Sequence, residues 1–191
     1  MLQNERVALA LIALITGMMG FIESMTAVPA GSTAMAADAL SFVQHSITAG
    51  FSLWATAGTI NRQRWTVQLQ GFVMALLGGL VCLIAVRRLY FGSLPHPLAM
   101  TIIGLVALIA DLAVGAIVLG QRRMLKGIGA LWRISRADCV GNLAVVAAAA
   151  AVFATKNNIP DIVIGGAMAM YFFIYGWRIA ITGRLDAGRT P

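Results

Sequence analysis

Several ionisable residues lie inside stretches of this sequence that are otherwise apolar enough to cross a bilayer. Four acidic residues and one histidine are placed in this way: Glu23, Asp38, Asp111, Asp138 and His45. Holding such a group at membrane depth costs at least ~2.5–3.5 kcal/mol, so these residues usually face a bundle interior, a polar partner or an ion path. The pattern therefore indicates a site for a small cation or for protons within the membrane.

Two short patterns bring polar groups onto shared helical faces. In the second apolar run, Asp38, Ser41 and His45 are spaced i, i+3 and i+7, and in the fifth run Asp138 and Asn142 are spaced i, i+4. From the rise of an α-helix, His45 lies roughly 20 Å from the outer end of its span and Asp138 about 16 Å from the cytoplasmic end. Two antiparallel helices are therefore expected to bring polar faces together near the midplane.

A carboxylate beside an imidazole suits a borderline cation such as Zn²⁺ and leaves positions open for water. Imidazole exchanges its proton near neutral pH, and metal ligands must shed protons before they bind, so the two ions compete for such a site. The same residues are also compatible with a second interpretation, in which they only hydrogen-bond between helices and hold the bundle together.

A separate ion pair is predicted from depth alone. Asp111 in the fourth apolar run and Arg136 in the fifth each lie about 13 Å from the cytoplasmic end. Pairing, directly or through water, would lower the cost of holding either charge in hydrocarbon. The alternative is that Arg136 reaches to the surface and Asp111 is protonated.

The composition excludes most soluble classes of protein. The chain has 191 residues, of which 60% are hydrophobic and 11% charged, and a soluble domain carries roughly twice that share of charge. We therefore predict an all-α integral membrane protein. The net charge of +7 comes from basic residues between apolar runs, which favours lipid head groups over nucleic acid as the partner. No cofactor or nucleophile motif occurs, so no enzyme is expected.

Six apolar runs are each close to the ~20 residues that a bilayer core requires. They cover residues 7–27, 32–57, 67–89, 98–120, 127–154 and 161–182, with short connections and no room for a soluble domain. The first run resembles a cleavable signal peptide. We favour a retained span, because the run carries Glu23 and its removal would leave an odd number of spans.

The basic residues predict the orientation, since they accumulate on the cytoplasmic side of membrane proteins. One side of a six-span arrangement carries Arg6, Arg62, Arg64, Arg122, Arg123, Lys126, Arg184 and Arg189. Only Arg87, Arg88 and Lys156 fall on the opposite side. Both termini are therefore predicted to be cytoplasmic, and a bacterial inner (plasma) membrane is the expected location.

These motifs together resemble the cation diffusion facilitator family. Residues 36–40 are similar to the family's A-D-A-L/H run, residues 138–142 to its D-x-x-G-N/S stretch, and residues 159–163 to its P-D-P-I-V opening of the sixth span. Glu23 stands where first spans of the family often carry an acidic residue. The resemblance covers almost the whole chain and is greatest to the short members without the cytoplasmic metal-binding domain.

The resemblance implies a dimeric secondary transporter that exports Zn²⁺, or similarly Co²⁺ or Cd²⁺, in exchange for protons, with the metal as substrate and no cofactor. The family's four ligand positions fall on Ser41, His45, Ile134 and Asp138. Only His45 and Asp138 keep ligand chemistry, so Asp38, Asn142 and water would have to complete the shell. This departure implies weaker binding, altered selectivity or loss of transport. The alternative function is a transport-inactive relative with a structural or regulatory role.

Overall fold

The chain folds into α-helices throughout the part that a computed structural model describes, which comprises residues 3–54, 60–92, 94–120 and 128–183. These ranges contain six helices and no strand: α1 (Gln3–Ala30), α2 (Thr33–Trp54), α3 (Ile60–Phe91), α4 (Pro97–Gly120), α5 (Ile128–Thr155) and α6 (Ile159–Thr182). The predicted all-α, six-helix fold is therefore confirmed. The largest difference from the predicted spans is at α3, which begins seven residues earlier because polar residues 61–64 continue the helix.

Five of these helices are long and apolar enough to cross a membrane: α1, α3, α4, α5 and α6. The sixth, α2, has 22 residues, which is sufficient length. Its mean hydropathy is lower because Asp38, Gln44 and His45 interrupt the apolar run. Of the six helices described, the one that is not among these five apolar spans is thus the one that carries most of the predicted site.

Four helices form a ring, and the other two form a pair beside it. In the ring, α1 packs against α2 and α4, and α5 packs against α4 and α2. The pair consists of α3 and α6, which lie against α2, and α6 also contacts α5. Because α2 contacts α1, α3, α5 and α6, it lies at the centre of the bundle.

Burial is reversed relative to a soluble protein. Large apolar side chains such as Phe21, Leu83 and Ile109 are more than 60% exposed on the outer surface. Among the side chains that the structure describes, the buried polar ones are Thr16, Glu23, Ser32, Thr33, Asp38, Ser41, Asp111, Asn142 and Asp161. An apolar exterior around a polar interior suits lipid, where no water satisfies exposed polar groups. The protein is an integral membrane protein.

Glycines let α3 and α6 approach backbone to backbone. A Cβ atom added at Gly71 would lie 2.5 Å from the backbone nitrogen of Ala180, and one at Gly176 would lie 2.6 Å from that of Ala75. In lipid, close packing of small residues replaces the hydrophobic drive that is absent between helices. The α3–α6 pair is therefore a tightly packed unit.

The start of α2 is held by a carboxylate from α6. The backbone N–H groups of Thr33 and Ala34 donate to the Asp161 carboxylate at 2.7 and 3.1 Å, and the Ser32 hydroxyl donates to it at 2.5 Å. The first N–H groups of a helix have no partner within the helix, and a negative charge there is favourable. Asp161 also lies in the first turn of α6. From the sequence, Asp161 is recognisable only as an acidic residue in the first turn of α6, and its contact with the start of α2 is not.

Candidate cation site

The site centres on one residue from α2 and one from α5. His45 Nδ1 lies 3.3 Å from Asp138 Oδ2, and the two side chains are only 18% and 12% exposed. The distance permits a hydrogen bond or the sharing of a small cation. The structure thus brings together the imidazole and the carboxylate that the sequence placed near the same depth. Their binding of a cation stays a prediction.

Ser41 lies one turn from His45 on the same face of α2. It is buried, and its hydroxyl donates to the backbone oxygen of Asp38 at 2.8 Å. The hydroxyl oxygen keeps lone pairs, but a neutral hydroxyl is a weak ligand beside a carboxylate. Ile134, at the remaining ligand position, has a side chain outside the described residues.

Asp38 lies two turns from His45, roughly 10 Å along the axis of α2. It is 1% exposed, and its Oδ1 is 3.3 Å from where a Cβ atom would stand on Gly141 of α5. The missing side chain at Gly141 therefore leaves room for the carboxylate. Glu23 of α1 is within electrostatic reach of Asp38. The carboxyl groups of Glu23 and Asp38 are close enough to interact with each other, and both residues are buried.

Asn142 and Asp111 connect α5 to α4. The Asn142 amide donates from Nδ2 to Asp111 Oδ2 at 2.5 Å, and both residues are buried. The Asn142 amide oxygen has no hydrogen-bond partner. The predicted partner of Asp111, Arg136, has a side chain outside the described residues, so that ion pair stays a prediction. The observed partner, Asn142, lies six residues further along α5 than Arg136.

The ligand set is small. Within residues 3–54, 60–92, 94–120 and 128–183, no three His, Cys, Asp or Glu side chains are close enough together to hold one metal ion. A cation at His45 and Asp138 would therefore need water or neutral oxygens in its remaining positions. Asp138 also lies within electrostatic reach of Asp111 and Asp38. The His45–Asp138 pair therefore lies in an interior that contains further acidic side chains, and His45 supplies its imidazole nitrogen there.

The comparison with known families identifies the class of protein. Residues 67–186 match the family described as the cation efflux transmembrane domain. The match covers more than half of the chain, so this protein belongs to the cation efflux family. Its members are transporters rather than enzymes, and the membership supports an efflux transporter of metal cations. A comparison with curated proteins finds no match.

The matched segment includes Asp111, Asp138 and Asn142, but it begins after α1 and α2. The family match therefore covers only one side of the site. His45, Asp38 and Glu23 are connected to it by the packing of α1 and α2 against α4 and α5.

Proposed function

We propose that this protein is a secondary transporter that moves a divalent cation, Zn²⁺ or a similar ion such as Co²⁺ or Cd²⁺, out of the cytoplasm in exchange for protons. The observation that carries the proposal is the 3.3 Å approach of His45 Nδ1 to Asp138 Oδ2 between α2 and α5 of a cation efflux protein. An imidazole nitrogen with a carboxylate oxygen favours zinc-like ions over Mg²⁺ or Ca²⁺.

The charge of this site favours release as well as binding. One carboxylate and one neutral imidazole leave a divalent ion with one uncompensated positive charge. The acidic residues Asp38 and Asp111 lie within electrostatic reach of Asp138 and offset part of it. A shell completed by water, Ser41 or Asn142 would hold the ion weakly enough to exchange it.

Proton exchange follows from the ligand chemistry. A cation binds only when the imidazole is neutral and the carboxylate is ionised, so protons occupy the same groups when the ion leaves. Asn142, one turn after Asp138 on α5, is proposed to complete the shell or relay protons, and Asp38, two turns before His45 on α2, is proposed to relay protons. Alternating access would tilt α2 and α5 relative to the other helices, in a homodimer within the bacterial inner membrane.

The experiment is transport by purified protein in vesicles with a pH gradient, measured for zinc, cobalt and cadmium. We expect uptake by the wild-type protein and uptake at the level of empty vesicles for His45→Ala combined with Asp138→Ala. Thr16→Val is a matched control, because Thr16 is buried in α1 and its hydroxyl bonds only within α1, to Ile12 and Ala13. Uptake that persists in the double variant would exclude this site.

The serine at position 41 favours a second candidate function, in which the protein does not transport metal. The Ser41 hydroxyl is directed to the backbone of its own helix, and the described residues offer no group of three strong ligands. A member of the family with this interior could act as a structural or regulatory partner without transport. Calorimetry decides between the two functions: folded wild-type protein that binds none of the three metals would support the inactive role.

A further inference from the structure

Three basic residues lie at the end of the bundle where α3 and α5 terminate, and the proposed transport does not use them. Arg87 and Arg88 lie in the last two turns of α3, and Lys156 directly follows α5. The predicted orientation makes this the outer end, whereas basic residues usually accumulate on the cytoplasmic side. We refer to these three residues as the basic rim, and their position calls for a physical reason.

The connection between α5 and α6 brings the basic rim together. The Asn158 amide donates from Nδ2 to the backbone oxygens of Arg88 and Gly92, each at 3.4 Å. These contacts hold the connection against the end of α3. Lys156 precedes Asn158 by two residues, so its charge lies at the same end of the bundle as those of Arg87 and Arg88.

The charge of this end is positive. Residues 27–36, 87–100 and 152–164 make up the helix ends and connections here, and their only acidic residue is Asp161. Asp161 is buried, accepts hydrogen bonds from the start of α2, and lies within electrostatic reach of the half-buried Arg88. The side chains of Arg87 and Lys156 are exposed. Their charges are therefore complementary to an anion outside the chain.

Exposed aromatic rings accompany the two exposed charges. Tyr90 and Phe91 follow Arg87 by three and four residues, on the same side of α3, and are 74% and 84% exposed. The Lys156 ammonium lies 4.1 Å from the centre of the Phe153 ring, which is also exposed. Aromatic residues anchor membrane proteins at the level of the lipid head groups. The basic rim is therefore placed at head-group depth.

The backbone of Lys156 is an independent observation. Its φ is 53°, and Lys156 is the one residue other than glycine with a positive φ in the described part of the chain. Helices commonly end in this left-handed conformation with glycine or asparagine, because a Cβ atom makes it costly. A lysine held in a conformation that favours glycine points to a role for its side chain.

We propose that the basic rim binds the phosphate of an anionic phospholipid, of the phosphatidylglycerol kind. Arg87 and Lys156 contact the head group, and Arg88 balances the charge of Asp161 beneath them. A basic cluster at the membrane surface attracts anionic lipid. The neighbouring rings add apolar contact for the glycerol and acyl chains, which a free phosphate ion would not use. This site is separate from the His45–Asp138 pair and does not depend on transport.

The test is thermal unfolding of the purified protein in detergent with added phosphatidylglycerol or with zwitterionic phosphatidylcholine. A ligand that binds only the folded state raises Tm. We expect phosphatidylglycerol to raise the Tm of the wild-type protein by about 4 °C more than phosphatidylcholine does. Arg87→Gln combined with Lys156→Gln should lose most of that difference. Arg6→Gln combined with Arg178→Gln is the matched control, because it removes the same charge from exposed side chains at the opposite end and should keep most of the difference.

Lys156→Gly separates binding from stability. Glycine adopts a positive φ without the steric cost of a Cβ atom, so the lipid-free Tm of this variant should equal or exceed that of the wild-type protein. Its response to phosphatidylglycerol should nevertheless fall. A full response in Lys156→Gly would show that the lysine side chain does not bind the lipid.

Three further results would overturn the proposal. The first is an equal Tm with both lipids in the wild-type protein, and the second is the same lipid difference in Arg87→Gln/Lys156→Gln as in the wild-type protein. The third is inorganic phosphate at matched ionic strength reproducing the shift, which would indicate a site for a free anion. Native mass spectrometry gives a direct count, and we expect the wild-type protein to retain one more phosphatidylglycerol molecule than the double variant.

Discussion

The individual ionisable residues of this protein are positioned by partners on other helices, and only some of those partners are visible in the sequence. His45 and Asp138 were expected at similar depth because each could be counted from a helix end, and they lie 3.3 Å apart. The same counting placed Asp111 level with Arg136, whose side chain lies outside the described residues, so that pair stays a prediction. One partner of Asp111 that the structure does show is Asn142, and sequence reasoning did not pair these two residues.

Asp161 provides a test at the residue scale. Replacing it by Asn removes the negative charge that accepts from Ser32, Thr33 and Ala34, and the amide can accept at one oxygen only. Hydrogen bonds to charged groups are worth more than neutral ones, so we expect Asp161→Asn to lower the free energy of unfolding by roughly 1–3 kcal/mol. Denaturant unfolding in detergent micelles measures this.

Ser32→Ala is the companion variant for that experiment. It removes one hydroxyl, which donates to Asp161 and accepts from the Met35 N–H at 3.1 Å, but leaves the carboxylate on the backbone of α2. A smaller loss than for Asp161→Asn is expected. Equal stability of Asp161→Asn and the wild-type protein would show that the carboxylate does not hold α2.

At the scale of the elements, the existence of the helices follows from apolar runs of spanning length, but their packing does not. The polar residues 61–64 hid the true start of α3, since a hydropathy pattern ends where charge begins. The contact of α1 with α4 has no local sequence signal, because the two helices are far apart in the chain. That contact nevertheless closes the ring around Glu23, Asp38, Asp111 and Asn142.

The crossing of α2 and α6 gives a prediction for the elements. A Cβ atom at Gly165 of α6 would lie 2.5 Å from the backbone nitrogen of Ala34 and 2.6 Å from the oxygen of Thr33. Backbone atoms cannot move aside as a side chain can, so Gly165→Ala should force the helices apart and cost about 1–3 kcal/mol. Thermal unfolding of the purified variant measures the loss.

Gly50 offers a matched control within α2. Apart from its chain neighbours and the backbone of its own helix, no atom of the described residues lies within 4 Å of the position where its Cβ would stand. Gly50→Ala should therefore be neutral or stabilise the helix by up to about 1 kcal/mol. A similar loss for both variants would mean that the α2–α6 crossing is not the cause.

For the whole molecule, burial and topology agree with six helices of alternating direction. The start of α2 meets the start of α6 through Asp161, and the backbone N–H of His96, before α4, donates to the oxygen of Ala30 at 2.9 Å. Helices 2, 4 and 6 therefore begin on one face of the bundle. Which face is cytoplasmic stays a prediction from the basic residues, and the homodimer stays a proposal.

The class of protein could be predicted from the sequence, whereas the arrangement of the ligands could be predicted only in part. Composition and six apolar runs were sufficient for a helical membrane protein, and the short motifs were sufficient for the family. The ligand shell depends on side chains that four helices bring together over long sequence distances, such as Glu23 with Asp38 and Asp111 with Asn142. Local periodicity carries no information on those pairings, and they became visible only in the folded chain.

The central claim is that a transported cation is bound by His45 together with Asp138. X-ray absorption spectroscopy of zinc or cobalt bound to the purified protein tests it most directly. We predict a shell with one imidazole nitrogen and several oxygens at about 2.0–2.2 Å, and loss of the imidazole contribution in His45→Ala. A shell made only of oxygen, or identical spectra for the wild-type protein and His45→Ala, would contradict this assignment.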